Sequence, residues 1–424
     1  MAHAEETLLE VLRSIARDLS YQEPQLDIRA VTSGGANYTS KLYLATISSP
    51  GKERLHLFAK IGSFSEKIRT QVNVDQLFRT EHLIYTKLVK IWDSIQEKYQ
   101  VPDEHRYVFP KYYGGNLKTG CETVVLEDLT AAGYSICDRF KPADWEHAAK
   151  SIEALAKFHA LSFVLDKEDP DEYKKITEQL KFLAPEEDES MKGVWLKMVG
   201  GAVQSVEEGL RDRVIKFFES TDGRKMYLDY HMPRGRPVLV HGDYRPSNLF
   251  FRRQKNGVLE SLPIDYQTVH TGCSVTDLIY FLVTASDEEF RRQNHQRLVE
   301  HYYSSLAHAL RRYQLDIEEI YPRTQFDDDL KEVKTSVNVK DRNMGLVDTT
   351  VFLGITLDSK LQWGPHIDKL SNRLSSAAYA VMKIRQLTDV DTARLVYFSY
   401  FHSVMSYGIL LWGIVRDLVR WDVI

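Results

Sequence analysis

The chain has 424 residues and a mass of 49.1 kDa; 43% of its residues are hydrophobic and 27% charged, so it can bury a core and is not generically disordered. With 55 basic against 60 acidic residues, net charge −5 and pI about 6.3, the balance argues against a general polyanion binder and leaves room for a local basic groove. Three cysteines, Cys121, Cys137 and Cys273, have no metal-ligand spacing, which excludes a disulfide scaffold and a Cys-based zinc site and fits a reducing, cytoplasmic setting.

At the N-terminus, Leu8, Leu9, Val11, Leu12, Ile15 and Leu19 recur at helical spacing among Glu5, Glu10, Arg13 and Arg17. This predicts an amphipathic helix rather than a signal peptide, which needs an uncharged apolar core. Tyr38–Ile47 and Leu55–Ile61 read as hairpin strands joined through Ser48-Ser49-Pro50-Gly51. A helical pattern runs from Val74 to Gln100. Strand-like Tyr107–Tyr113, a Gly114-Gly115-Asn116 turn and strand-like Glu122–Glu127 follow. The stretch to Asp128 is therefore expected to be a β-rich lobe with one inserted helix.

Beyond Asp128 helical patterns dominate: Trp145–Leu165, Val194–Tyr230, Val275–Thr284 and Phe290–Tyr313. Short apolar runs at Val238–Val240, Asn248–Phe251 and Leu262–Ile264 flank a loop. From Lys331 to Asp348 the sequence is polar and patternless; Val351–Leu357 then reads as a strand, and His366–Leu387 and Thr392–Leu411 as helices. The domains expected are 1–128, 129–330, a linker at 331–348, and 349–424. Leu395–Val415 has no Asp, Glu, Lys or Arg and is long enough to span a bilayer. Its Ser399, His402, Ser403, Ser406 and three tyrosines favour a buried helix, so no membrane contact is expected.

The chemistry concentrates in His241-Gly242-Asp243-Tyr244-Arg245-Pro246-Ser247-Asn248. An Asp and an Asn five apart on a loop between strands suit phosphoryl transfer, with Asp243 accepting the proton of an attacking hydroxyl and the Asn248 amide oxygen holding a metal ion. Asp265, after one more strand, supplies the anionic oxygen that Mg²⁺ requires. Ser33-Gly34-Gly35-Ala36-Asn37-Tyr38-Thr39-Ser40 precedes the first long strand, where small residues let backbone N–H groups approach phosphates. Lys60 interrupts an apolar strand, either as an edge lysine or as a phosphate ligand oriented by Glu81 through an ion pair. Leu126-Glu127-Asp128-Leu129 joins the lobes and either presents backbone groups to an adenine edge or is an ordinary link. His159 reads as a packed helix residue rather than a catalytic one.

Together these residues resemble the insect ecdysteroid kinase-like family, a branch of the choline-kinase and aminoglycoside-phosphotransferase kinases. The resemblance rests on Gly34–Ser40, Phe78-x-x-Glu81-x-x-x-Tyr85, Leu126–Leu129, Leu155–Ser162, His241–Asn248, Asp265-Tyr266-Gln267 and Asp277-Leu278. It covers about residues 5–330. Tyr266 departs from the usual Phe or Trp. The resemblance implies an α+β, protein-kinase-like bilobal fold, ATP with Mg²⁺, and transfer of the γ-phosphoryl group to a small-molecule alcohol such as an ecdysteroid. By the same carry-over Asp243 is the catalytic base and Asn248 and Asp265 bind metal. Gly34, Gly35, Asn37, Ser40, Lys60, Glu81, Glu127 and Leu129 bind nucleotide.

The tail resembles something else. Phe352–Asp358, Leu361–Ile367 and Leu395–Gly413 are similar to the region after the polymerase palm of a non-LTR retrotransposon reverse transcriptase, without the palm's Ala-Asp-Asp signature. Phe326-Asp327-Asp328-Asp329 lacks the Ala. A foreign α/β tail without polymerase activity, replacing helices of a truncated second lobe, is the expectation. Its basic residues, such as Lys369, Arg373 and Lys383, are what any helix surface carries, so no nucleic-acid partner is expected. The alternative to a kinase is an inactive pseudoenzyme or chimeric gene product.

Overall fold

The structure, a computed structural model, describes residues 2–31, 40–62, 69, 73–137, 141–182, 199–201, 203–204, 208–220, 223–337, 349–352, 355–358 and 382–383. Helix α1 (Ala2–Asp18) packs on an antiparallel sheet with spatial order β1-β2-β3-β5-β4. Its strands are β1 (Gln25–Val31), β2 (Lys41–Ser49), β3 (Lys52–Ile61), β4 (Tyr112–Asn116) and β5 (Thr123–Glu127). The period of two along each strand sends Tyr43, Ala45, Ile47, Leu57, Ala59, Ile61 and Val125 into one core with Leu8, Val11, Leu12 and Ile15 of α1. Lys60, Val124 and Leu126 lie in the opposite phase, towards helix α2 (Val74–Leu83). A π-helical turn at Ile84–Leu88 leads from α2 into α3 (Val89–Lys98).

The weakly amphipathic β1, half exposed at the sheet edge, was not anticipated. Gly114, Gly115 and Asn116 do not turn the chain but lie in β4, paired with Val125, Val124 and Thr123. A Cβ on Gly115 would lie 2.3 Å from the Thr123 carbonyl oxygen, so glycine here permits close backbone approach. The anticipated strand at Tyr107–Tyr113 accordingly begins only at Tyr112.

The second lobe is built around α4 (Trp145–Glu168), whose N-terminus is capped by Asp144 accepting from the His147 N–H at 2.9 Å. Around it lie α5 (Pro170–Thr177), α6 (Glu208–Ser220), α7 (Gly223–His231), α8 (Ser274–Thr284), α9 (Glu288–Arg312), α10 (Ile317–Ile320) and α11 (Arg323–Val337). Two small antiparallel sheets carry the loop chemistry. One is β6 (Ser135–Ile136), β8 (Leu249–Arg253) and β9 (Leu259–Pro263); the other pairs β7 (Val238–Val240) with β10 (His270–Gly272). The fold is α+β with two lobes, an antiparallel sheet lobe and a helical lobe.

The boundary expected at residue 330 falls inside α11. Phe326, Leu330 and Val333, at spacings of four and three, are buried in the core of the helical lobe, so the first part of the expected linker is helical. On the same helix Asp327 bonds Arg323, and Asp329 is buried and accepts from Tyr321 Oη at 2.6 Å, so these acids are structural. The expected strand at Val351–Leu357 is a hairpin, β11 (Thr349–Phe352) with β12 (Ile355–Asp358). The tail helices expected at His366–Leu387 and Thr392–Leu411, and Leu395–Val415, lie outside the described residues apart from Met382 and Lys383, which are helical. Among the described residues no helix is long and apolar enough to cross a membrane.

Candidate active site

Lys60 sits on β3, an interior strand, and not at an edge; its side chain is 7% exposed. Its Nζ donates to Glu81 Oε1 at 2.9 Å and Oε2 at 3.2 Å, and to Asp265 Oδ1 at 2.7 Å. Glu81 reaches it from α2, where it too is buried. Burial works to lower the lysine pKa, but Asp265 and Glu81 outweigh it and hold the ammonium above its ordinary range. Burial likewise pushes Asp265 up, and Lys60 overcomes it, leaving this carboxyl below the usual range. Asp265 also has a left-handed backbone, φ 70° and ψ 62°. One ammonium thus joins the sheet, the inserted helix and the helical lobe.

Asp265 and Asn248 are brought together by strand pairing. The Ile264 N–H donates to the Asn248 carbonyl at 2.9 Å, at the point where β8 and β9 begin and end. Asn248 Nδ2 donates to the Asp243 carbonyl and to Asp243 Oδ2, each at 2.9 Å, which fixes the amide with its nitrogen on Asp243. The Asp243 carboxylate also receives Arg245 Nε at 3.1 Å on Oδ2 and Tyr280 Oη at 3.0 Å on Oδ1. Burial raises the Asp243 pKa, and Arg245 opposes that rise.

The loop itself hangs from Asp277 on α8. Asp277 Oδ2 accepts from the His241 N–H at 2.6 Å and Oδ1 from the Gly242 N–H at 2.9 Å. Gly242 needs its glycine: φ is 78°, and a Cβ would lie 2.6 Å from the Thr268 carbonyl oxygen. His159 is fully buried on α4, between Tyr302 Oη at 2.7 Å and Asp277 Oδ2 at 3.2 Å, packed as its helix position suggested. Tyr266 explains its own departure from Phe or Trp. Its ring packs among Tyr85, Phe109 and His241, while its hydroxyl pairs with Tyr107 Oη at 2.8 Å and donates to the Pro263 carbonyl at 2.9 Å.

Other sequence candidates are placed less decisively. Gly34, Gly35 and Asn37 lie outside the described residues; Ser40 immediately precedes β2. Glu127 ends β5, and its carboxylate accepts from the Lys111 N–H at 2.8 Å while its own N–H donates to the Lys111 carbonyl. Leu129 is buried and its carbonyl accepts from the Tyr134 N–H at 2.9 Å. Sequence reasoning assigned no role to Arg245, Tyr280 or Asp277. Tyr280 had one usable signal, its place three residues after Asp277 on an anticipated helix.

Among the described residues no cluster of three or more His, Cys, Asp or Glu side chains is placed to hold a metal. The donor set that fits a hard cation is smaller: the ionised Asp265 and the amide oxygen of Asn248. Both are oxygen donors, and both are fixed by hydrogen bonds to Lys60 and Asp243.

A buried strand lysine paired with a helix glutamate, beside an Asp/Asn loop and a second Asp, is a protein-kinase-like arrangement. The profile of the ecdysteroid kinase-like family matches residues 34–315, two thirds of the chain, and the chain belongs to that family. An uncharacterised kinase-like protein of Caenorhabditis elegans is 26% identical over 199 residues, 46% of this chain and 50% of that protein. The chain thus spans about half the length of this curated relative. Among solved structures, the GDP complex of wild-type aminoglycoside 2'-phosphotransferase-IIIa is 14% identical, with 76% of this chain and 95% of that chain covered and a TM-score of 0.35. The GDP and kanamycin complex of APH(2")-IIia has the same identity, with 76% and 96% covered and a TM-score of 0.38.

Proposed function

We propose that this chain is an ATP- and Mg²⁺-dependent small-molecule kinase that phosphorylates an alcohol. The observation that carries this reading is the Lys60 ammonium held between Glu81 and Asp265. Lys60 binds nucleotide phosphates and Glu81 keeps it pointed at them. Asp243 accepts the proton of the acceptor hydroxyl while that oxygen bonds to the γ-phosphorus and the bond to the β–γ bridging oxygen breaks, releasing ADP. Asn248 and Asp265 would hold Mg²⁺, which when bound neutralises phosphate charge. Gly34, Gly35, Asn37 and Ser40 are assigned to the phosphates, and the Glu127–Leu129 link to the base.

The acceptor is a small alcohol, and the family name points to an ecdysteroid. The sparse cysteines Cys121, Cys137 and Cys273, none of them in a disulfide, support a cytoplasmic site of action. The stretch beyond about residue 335, outside the family match, is read as a retroelement-derived segment without polymerase activity. Purified protein with ATP, Mg²⁺ and a panel of hydroxylated small molecules, ecdysteroids included, tests the reading. ADP release that depends on an acceptor is expected; nucleotide binding with no transfer to any acceptor would instead favour the inactive alternative.

A further inference from the structure

Helix α8 bears on the Asp243 loop at two points. Three donors reach the Asp243 carboxylate, and two of them, Arg245 and Asn248, belong to the same loop as Asp243. Such bonds orient groups within the loop but do not tie the carboxylate to the rest of the lobe. Tyr280 does. It lies one turn beyond Asp277 on α8, so the two side chains share a helix face. Asp277 holds the backbone of His241 and Gly242, and Tyr280 Oη is 3.0 Å from Asp243 Oδ1. One rigid helix therefore grips the loop at its backbone and at its reactive side chain.

We infer that Tyr280 is a positioning residue for phosphoryl transfer, fixing the rotation of the Asp243 carboxylate so that one oxygen faces the acceptor hydroxyl. The inference rests on the kinase reading above. Burial raises the phenol pKa far beyond neutrality, so Tyr280 stays a donor and does not compete for the proton. Its mostly buried ring means that Tyr280→Phe removes the hydroxyl and keeps the packing.

The test is steady-state kinetics on wild type, Tyr280→Phe, Asp243→Asn and the double variant, with thermal unfolding as a check on the fold. Losing one hydrogen bond to a charged group should lower kcat roughly ten- to a hundredfold, with KM for ATP and acceptor within about twofold. On the Asp243→Asn background, Tyr280→Phe should cost almost nothing more, because the two act as a unit. An unchanged kcat in Tyr280→Phe, or a loss of full size on both backgrounds, overturns the positioning role while leaving the kinase reading intact. A folded wild type that binds ATP and transfers to no acceptor fails earlier, and takes the kinase reading and this inference down together.

Discussion

Lys60 and Glu81 are both buried, so each depends on the other for compensation of its charge. Lys60→Ala should destabilise the fold by about 3–5 kcal/mol, because it strands a buried glutamate. Chemical denaturation would read this, together with weakened ATP binding; a stability within error of wild type would mean the pair is solvated in solution. At the proposed metal donors, Asp265→Ala should remove Mg²⁺-supported transfer, whereas Asn248→Ala, which would delete a neutral ligand, should raise the Mg²⁺ requirement and spare some turnover. Metal titrations that superimpose for both variants and wild type would exclude them as ligands. Lys60, Asp243 and Asn248 drew attention in the sequence, as a charge in an apolar strand and an Asp and Asn at fixed spacing, whereas Glu81 is one helix charge among many and only the fold sets it beside Lys60. Tyr280 was not legible, because its contact with Asp243 spans 37 residues and depends on how α8 docks under the loop.

At the scale of elements, the N-lobe shows how one signal has two physical meanings. Gly-Gly marks a turn when the chain needs positive φ, and a close approach when a neighbour needs space. In β4 the second applies, because Gly115 faces the Thr123 carbonyl and a Cβ on Gly114 would lie 3.2 Å from Ile15 Cγ1 of α1. Gly115→Ala should therefore cost about 1–3 kcal/mol, and Gly114→Ala less, since a leucine-sized neighbour can shift where a backbone carbonyl cannot. Comparable melting points for the two variants would contradict this packing. The helical periodicities of α1 and α9 were readable from sequence, since each buries one stripe, whereas α4 and α8 are buried nearly all round and stand out as apolar runs. The π-helical turn at Ile84–Leu88 was not readable, since it spans five residues, too short a stretch for a change of period to show in the apolar pattern.

For the whole molecule, the family match ends at 315 while the packed core runs on to Val333. A chain ending at Val337 should keep nucleotide binding, and one ending at Leu330 should lose stability, because Val333 leaves the core. Equal stability of the two truncations would show that the last turns of α11, Lys331–Val337, add nothing to the core. The helix is hard to follow past Leu330 in the sequence because Lys331–Val337 is mostly polar, with Val333 its apolar contribution to the core. Whether the two lobes work as a kinase is read most directly by comparing wild type with Asp243→Asn in ATP- and Mg²⁺-dependent transfer to an accepted alcohol, with nucleotide affinity measured on the same samples. The expected result is a fall in kcat of about 10²–10⁴-fold with ATP affinity nearly unchanged. Near-full turnover in Asp243→Asn would contradict the assignment of the proton acceptor and, with it, the mechanism built on this site.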